Sequence, residues 1–447
     1  MWLLTGNMIY QFLKYLFKLT LESFFRVLRV RGHENIPDGP VIFVANHPST
    51  LMDPVIIATI LKRPVYFLAA AEFMGKGWVT IFMQKFINMI PVYRPDTLPG
   101  EAKKNADVFF KCFEHLGKDG SILIFPEGSS ITQRKLRPLK TGTVRIALGA
   151  EEDTGKTINI VPIGLNYSNP HQFRSVCFVS IGKPINSKIK ELIGYTEKEL
   201  ALKYTELVED SLRENVIHLE DESVFELFEK VKKIVLHEQQ TVSGKMPTQQ
   251  KQFELGQQIQ DAIAYYAKEY PITIQKLNLK LDHYIERILF YNLTDASIAK
   301  GNPKVKWSDC FKIIFGLPVF GFGFLSHAAP YYISSWFFGK MKVGDQFKGS
   351  MMLIIGLVLF LIWYIFIGVF FAHLFGAWWY GVIALMGLYV SGKFTLRYLG
   401  LVHTFNQLGN WKSVFKRDRN ISESLKMERA SIIADILAYD QKFQKLK

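Results

Sequence analysis

From Ile313 to Gly339, and again from Gly349 to Gly392, the chain carries no Asp, Glu, Lys or Arg. Uncharged apolar runs of this length are best accommodated in a bilayer, and no other feature narrows the fold so far. At 1.5 Å per residue the second run makes about 66 Å of helix, roughly two crossings of a ~30 Å hydrocarbon core. A transmembrane hairpin over 349–392, turning near His373–Gly376, is therefore expected. The first run is interrupted by Pro318, Gly321, Gly323, His327 and Pro330, which predicts a bent or re-entrant segment over 313–339, with the Gly321-Phe-Gly323 stretch lending helix flexibility. The 340–348 loop holds three Lys against one Asp, and the chain from Lys393 onward holds eleven Lys and Arg against five acids. If the first run does not cross, both segments are expected on the cytoplasmic side, together with the N-terminal domain of an integral membrane protein; a plain three-span bundle, which would put the basic tail opposite that domain, is the alternative.

The rest is a different material. The 447 residues are 49% apolar and 14% aromatic, with mean hydropathy only +0.10, which excludes both a disordered chain and an all-membrane one. The formal charge of +14 suits an anionic surface, phospholipid or nucleic acid. Cys112, Cys177 and Cys310 are far apart and show no C-x-x-C spacing, against a disulfide framework or zinc knuckle. The first residues lack the order of a secretory signal. Instead Lys14, Lys18, Glu22, Arg26 and Arg29 recur at helical spacing among Phe and Leu, predicting an amphipathic helix over 1–31 that lies in a membrane interface or docks on its own domain.

Residues 32–186 alternate apolar runs (Val41–Ala45, Pro64–Ala70, Ile122–Phe125, Ile158–Ile163, Val176–Ile181) with helical stretches, an α/β pattern. A polar helical region over 187–305 follows, then the membrane region 306–395 and a basic C-terminal helical tail over 396–447.

The chemistry-bearing residues cluster where apolar runs end. Asn46-His47-Pro48-Ser49-Thr50-Leu51-Met52-Asp53 sets an imidazole and a carboxylate after the first strand. A His whose second nitrogen is held by an Asp is fixed in one tautomer and can take a proton from a hydroxyl near neutral pH. Six positions along a continuous helix is about 9 Å, so the pair needs a non-helical turn, which Pro48 and Ser49 supply; Ser49 and Thr50 are the alternative partners. Backbone amides around Pro48–Thr50 are candidate oxyanion donors. No G-x-S-x-G elbow is present, and neither Cys112 nor Cys177 stands beside a His, so direct attack by an acceptor is implied. Arg94, after Tyr93, offers a planar fork for a phosphate, with Arg134, Lys135, Arg137 and Lys140 as a basic supplement or a solvated surface. Gly128 permits close approach of backbone N–H groups to an anion, and Glu127 accepts a hydroxyl or orients Arg94. No P-loop, dinucleotide fingerprint or H-E-x-x-H occurs, and the remaining histidines show no ligand spacing, so no metal is expected.

Asn46-His47…Asp53, Tyr93-Arg94, Phe125-Pro126-Glu127-Gly128-Ser129-Ser130 and Val161-Pro162-Ile163-Gly164, in this order, resemble the PlsC-type glycerolipid acyltransferases over roughly residues 30–186. The resemblance implies an α/β acyltransferase-type domain in which His47 and Asp53 are the catalytic pair. It further implies that Arg94, Glu127 and Gly128 hold the acceptor's phosphate, and that Pro162 lies near the acyl-donor site. One departure is visible: five residues separate His47 from Asp53, where the family usually has four.

The function so implied is membrane-bound O-acyl transfer in phospholipid biosynthesis, from an acyl-CoA or acyl carrier protein thioester to a glycerol-phosphate acceptor. The acceptor expected first is 1-acylglycerol-3-phosphate; glycerol 3-phosphate or dihydroxyacetone phosphate is the alternative. No cofactor is expected beyond the thioester substrate; the expected partners are a lipid bilayer with anionic phospholipid, and no nucleic acid. A non-catalytic membrane scaffold or transporter is the competing class.

Overall fold

In the computed structural model, which describes residues 2–94, 97–186, 195–300 and 307–446, the apolar run Val41–Ala45 is a strand buried along its whole length at the centre of a mixed sheet. The chain divides into two compact units, Met1–His218 with Lys342–Leu353, and Leu219–Met341 with Ile354–Lys447.

The first unit opens with helix α1 (Trp2–Phe24) and strands β1 (Val27–Arg31) and β2 (Val41–Ala45). Helix α2 (Met52–Ile60), β3 (Tyr66–Ala70), α3 (Trp78–Phe86) and β4 (Met89–Val92) follow, then α4 (Asn105–Gly117), β5 (Ser121–Ile124) and α5 (Gly142–Thr154). Next come β6 (Asn159–Tyr167), β7 (Val176–Ile181), β8 (Ile185–Asn186) and α6 (Glu197–Arg213). The sheet order is β1-β7-β6-β2-β5-β3-β4, with β8 on β6. β2 runs parallel to both β5 and β6, and β3 parallel to β5 and β4. β2, β5 and β6 are covered on both faces, which is why they read as unbroken apolar runs rather than alternations. Alternate residues of β2 feed two cores: Phe43 and Ala45 pack with α1 and α2 residues such as Phe24 and Ile56, while Ile42 and Val44 pack with α4–α6 residues such as Cys112, Ile146 and Val208.

Two expectations for this unit are corrected. The N-terminal helix ends at Phe24, not Arg31, because Val27-Leu28-Arg29-Val30-Arg31 alternates apolar and basic side chains and pairs as an edge strand with β7. Arg26 and Arg29 are therefore not part of a helical stripe. The α/β unit is also longer than 32–186: α6, opened by a Thr196/Glu199 capping box, buries Leu200, Tyr204, Val208 and Leu212 in the second core. The expected boundaries near 187 and 305 fall among or beside the undescribed residues 187–194 and 301–306. Of the two placements read for α1, docking holds for one face, with Leu21, Phe24 and Phe25 buried, while Met8, Phe12 and Tyr15 remain exposed and apolar.

The second unit is helical: α7 (Phe225–Ser243), α8 (Gln249–Glu269), α9 (Pro271–Phe290), α10 (Asp295–Lys300) and α11 (Trp307–Lys340). Helix α12 (Asp345–Leu374) belongs to it beyond Leu353, and α13 (Trp378–Arg417) and α14 (Arg419–Gln444) complete it. Residues 396–447 are not a separate tail. α14 buries Leu425 and Ile432 and pairs with α9 through Lys280–Asp435 at 2.5 Å and Arg287–Glu428 at 2.5 Å.

Residues 313–339, expected as a bent or re-entrant segment, lie within one continuous 34-residue helix, α11, with Pro318 and Pro330 inside it. Pro330 cannot donate to Ser326, and the freed carbonyl instead accepts the indole N–H of Trp363 at 2.8 Å. Gly323 is not a flexible point: a side chain there would overlap Ser391 and Thr395 on α13, so glycine permits close helix contact. By length and composition two described helices suffice to cross a membrane, α11 and α12; α12 ends at Leu374 and α13 begins at Trp378, so the chain turns where the hairpin was expected to turn.

Candidate active site

His47 follows the carboxyl end of β2, Glu127 that of its parallel neighbour β5, and Arg94 that of β4. Parallel strands deliver their carboxyl ends to one edge of a sheet, so motifs up to about 80 residues apart in sequence arrive together; α/β proteins bind ligands at this edge.

Residues 46–51 are non-helical and α2 begins at Met52, so the turn brings Asp53 back to the imidazole. His47 Nδ1 lies 2.8 Å from Asp53 Oδ2, and neither Ser49 nor Thr50 takes that place. Asp53 is fully buried and also accepts the Ser49 amide at 2.7 Å and the Tyr167 hydroxyl at 2.6 Å. A carboxylate only accepts, so Nδ1 carries the proton and Nε2 keeps its lone pair. The ring stacks on Phe125, centroids 3.9 Å apart. Burial, with the Asp53 charge next, pushes the Tyr167 hydroxyl well above its ordinary pKa, so it remains a donor.

Glu127 is nearly buried and bridges two motifs. Its Oε1 accepts the His47 amide at 2.9 Å and its Oε2 accepts Arg137 Nε at 2.8 Å. The arginine that Glu127 orients is therefore Arg137 rather than Arg94. Arg137 also donates from Nη1 to Ser129 Oγ at 2.7 Å. Arg94 Nη1 donates to Gly128 O at 3.1 Å, while its Nε donates to Glu72 Oε1 at 3.0 Å. Burial works against the Glu72 charge, but the Arg94 and Thr97 hydrogen bonds outweigh it and hold this carboxyl below its ordinary value. Gly128 adopts φ +76°, and a Cβ there would meet Lys140 Cε at 2.7 Å. Arg94, Arg137 and the exposed Lys140 thus converge on one turn beside the dyad.

Other expected residues lie elsewhere. Arg134 Nη2 donates to Ser168 O at 3.0 Å, on the loop after β6. Pro162 is buried mid-strand opposite Val44, on the sheet face of Ile160, with Gly182 against its ring. It is not joined to the His47 group. The expected oxyanion donors are engaged: the Ser49 amide serves Asp53, and the Thr50 amide donates to Ser130 Oγ at 2.8 Å. Sequence reading missed Tyr167, Glu72 and Phe125 as partners; of these only Phe125, inside the quoted Phe-Pro-Glu-Gly block, carried a local signal.

Burial raises the Cys112 thiol to about 12 and, with the Asp53 charge, pushes Cys177 well up. Both stay protonated and non-nucleophilic. Among the described residues no cluster of three or more His, Cys, Asp or Glu side chains could hold a metal ion.

Residues 27–166 match the family model described as Acyltransferase. Glycerol-3-phosphate O-acyltransferase 1 of Saccharomyces cerevisiae is 27% identical over 275 residues, 42% of this chain and 36% of that protein. The 1-acyl-sn-glycerol-3-phosphate acyltransferase LPAT1, chloroplastic, of Arabidopsis thaliana is 27% identical over 151 residues, 33% of this chain and 38% of that protein. Each match thus spans little more than a third of the relative's own length. The crystal structure of the 1-acyl-sn-glycerophosphate acyltransferase PlsC from Thermotoga maritima aligns at TM-score 0.33 and 25% identity, covering 45% of this chain and 77% of that one.

Proposed function

We propose, from the site geometry and the match of residues 27–166 to the family model described as Acyltransferase, that the chain moves a fatty acyl group from an acyl thioester to a hydroxyl of a glycerol-phosphate acceptor. The observation that carries this reading is the His47–Asp53 pair at 2.8 Å beside a turn on which Arg94, Arg137 and Lys140 converge. His47 Nε2 accepts the proton of the acceptor hydroxyl as its oxygen attacks the thioester carbonyl. The C–S bond then breaks, and the imidazolium returns the proton to the leaving thiolate. The three cations hold the phosphate, and Asp53 stabilises the imidazolium that forms.

An apolar groove walled by Leu13 and Phe17 of α1, Val55 and Ala58 of α2, Phe67 and Met89 supports a fatty acyl group. Leu51 and Pro54, close to Asp53 in sequence, line it too. The apolar helices α11 and α12 support a membrane-bound protein, so that an acylated product partitions into the same bilayer at about 0.8 kcal/mol per buried CH₂. Among acceptors, 1-acylglycerol-3-phosphate remains the first reading. The 275-residue match to a relative named for glycerol 3-phosphate favours that compound as the second.

Purified protein in phospholipid vesicles, given acyl-CoA or acyl carrier protein thioester with each acceptor in turn, tests the assignment. Thiol release coupled to acylated acceptor is expected for one of them; release with neither would overturn it.

A further inference from the structure

The extra residue between His47 and Asp53 has a visible structural consequence. Thr50 takes φ +32°, a left-handed conformation that a β-branched residue adopts only when its surroundings impose it. Those surroundings come from α12, some 300 residues further along the chain, whose first residues belong to the same unit as the site.

Ser350 is buried and its hydroxyl joins three residues of the spacer. It accepts the Met52 amide at 2.9 Å, donates to Ser49 O at 2.9 Å, and lies 2.8 Å from Thr50 Oγ1. Thr50 Oγ1 also donates to Gln346 O at 3.0 Å. Gly349 seats this turn of helix: a Cβ there would overlap Pro170 O and press on Ser49 Oγ. The other side of the loop is tied to the β5 turn through Ser130 and through Thr132 Oγ1, which donates to Pro48 O at 2.9 Å.

We propose that Ser350 is a positioning residue for the dyad: it holds the five-residue spacer in the one conformation that keeps the Ser49 amide and Asp53 aligned on His47. The proposal rests on the acyl-transfer reading for its kinetic consequence only. The ionisable groups packed around the imidazole are Asp53, Tyr167 behind it, and Glu127 with Arg137. Asp345 and Lys348 of α12 face His171, and Ser350 itself does not titrate. Loosening the spacer weakens the pairing with Asp53, and an imidazole with a weaker carboxylate partner binds its proton less tightly.

The test is Ser350→Ala in the full-length protein, with two readouts. The pH dependence of His47 carbethoxylation by diethyl pyrocarbonate, read by peptide mass spectrometry, should move to lower pH. The acid limb of kcat/KM should move with it, kcat/KM falling about ten- to a hundredfold while the acceptor KM stays within about twofold. Thr50→Val, which keeps the shape and removes one hydroxyl, should move both in the same direction by less and covers the case in which Ser350→Ala does not fold. His47 titration unchanged in the folded variants overturns the proposal, as does a loss of turnover explained wholly by less folded protein. A wild-type chain without acyl transfer defeats the functional reading instead, and the carbethoxylation profile still decides the role of Ser350.

Discussion

Tyr167 illustrates how the dyad depends on side chains that do not touch the reacting atoms. Its hydroxyl is one of three donors to a carboxylate sealed from water, at 2.6 Å. Tyr167→Phe leaves Asp53 Oδ1 without that bond, and a buried acceptor left unpaired costs about 1–3 kcal/mol. We therefore expect a thermal unfolding midpoint lowered by a few degrees, and kcat reduced about tenfold in the same preparation. His47, Asp53, Arg94 and Glu127 were legible because each closes an apolar run, and strand ends are where a parallel sheet gathers its chemistry. Tyr167, Glu72 and Ser350 were not, because each reaches the site from an element whose own pattern is structural: the end of a buried strand, a short turn after β3, and the start of an apolar helix. Glu127 pairs with Arg137 rather than with Arg94, a choice that sequence cannot make among several nearby arginines.

At the scale of elements, four helices of the second unit meet at one buried carboxylate. Asp295 on α10 accepts Arg429 Nε of α14 at 2.9 Å and the Tyr284 hydroxyl of α9 at 2.8 Å, and pairs with His237 Nδ1 of α7 at 2.7 Å. Arg429 Nη1 also donates to Glu238 at 2.6 Å. Burial opposes the Asp295 charge, but His237 and Arg429, with Tyr284, outweigh it and hold the carboxyl below its ordinary 3.8. A depressed folded pKa means that the stabilisation is present above the ordinary value and is lost as pH falls through the depressed one. Arg429→Met should destabilise the unit by about 3–5 kcal/mol near neutral pH, because the buried Asp295 carboxylate and the partly exposed Glu238 lose their cation. For Asp295→Asn, helical circular dichroism in denaturant should show a deficit at pH 7 that narrows below about pH 4 as the wild-type carboxylate protonates; a constant gap would contradict the linkage. None of this was readable beforehand, since these residues look like ordinary charges on polar helices. Likewise β1 was missed because Arg26 and Arg29 continue the charge spacing of the helix before it, and β4 because Pro91 interrupts its short apolar run.

Over the whole molecule, the charge-free runs marked the turn near His373–Gly376, where α12 gives way to α13, but not the continuity of the helix α11 before it. Pro318 and Pro330 suggested a break, yet α11 is continuous, with the Trp363 indole meeting the carbonyl that Pro330 leaves open. Partner side chains of that kind have no signature in a single run. The basic C-terminal stretch looked like a free tail because its buried positions, Trp411, Leu425 and Ile432, are spaced among surface charges. With α11 and α12 each long and apolar enough to span, the protein should stay in the membrane pellet after alkaline carbonate extraction and enter the soluble fraction only with detergent. Release by carbonate would contradict an integral attachment. The central claim, a base at position 47 acting on a phosphate-bearing alcohol, is tested most directly by comparing wild-type and His47→Ala protein, matched for fold by circular dichroism, for thiol release and acyl-acceptor product in the same vesicles. The account predicts that the variant loses about 10²- to 10⁴-fold in rate with its fold intact; turnover within a few-fold of wild type would contradict it.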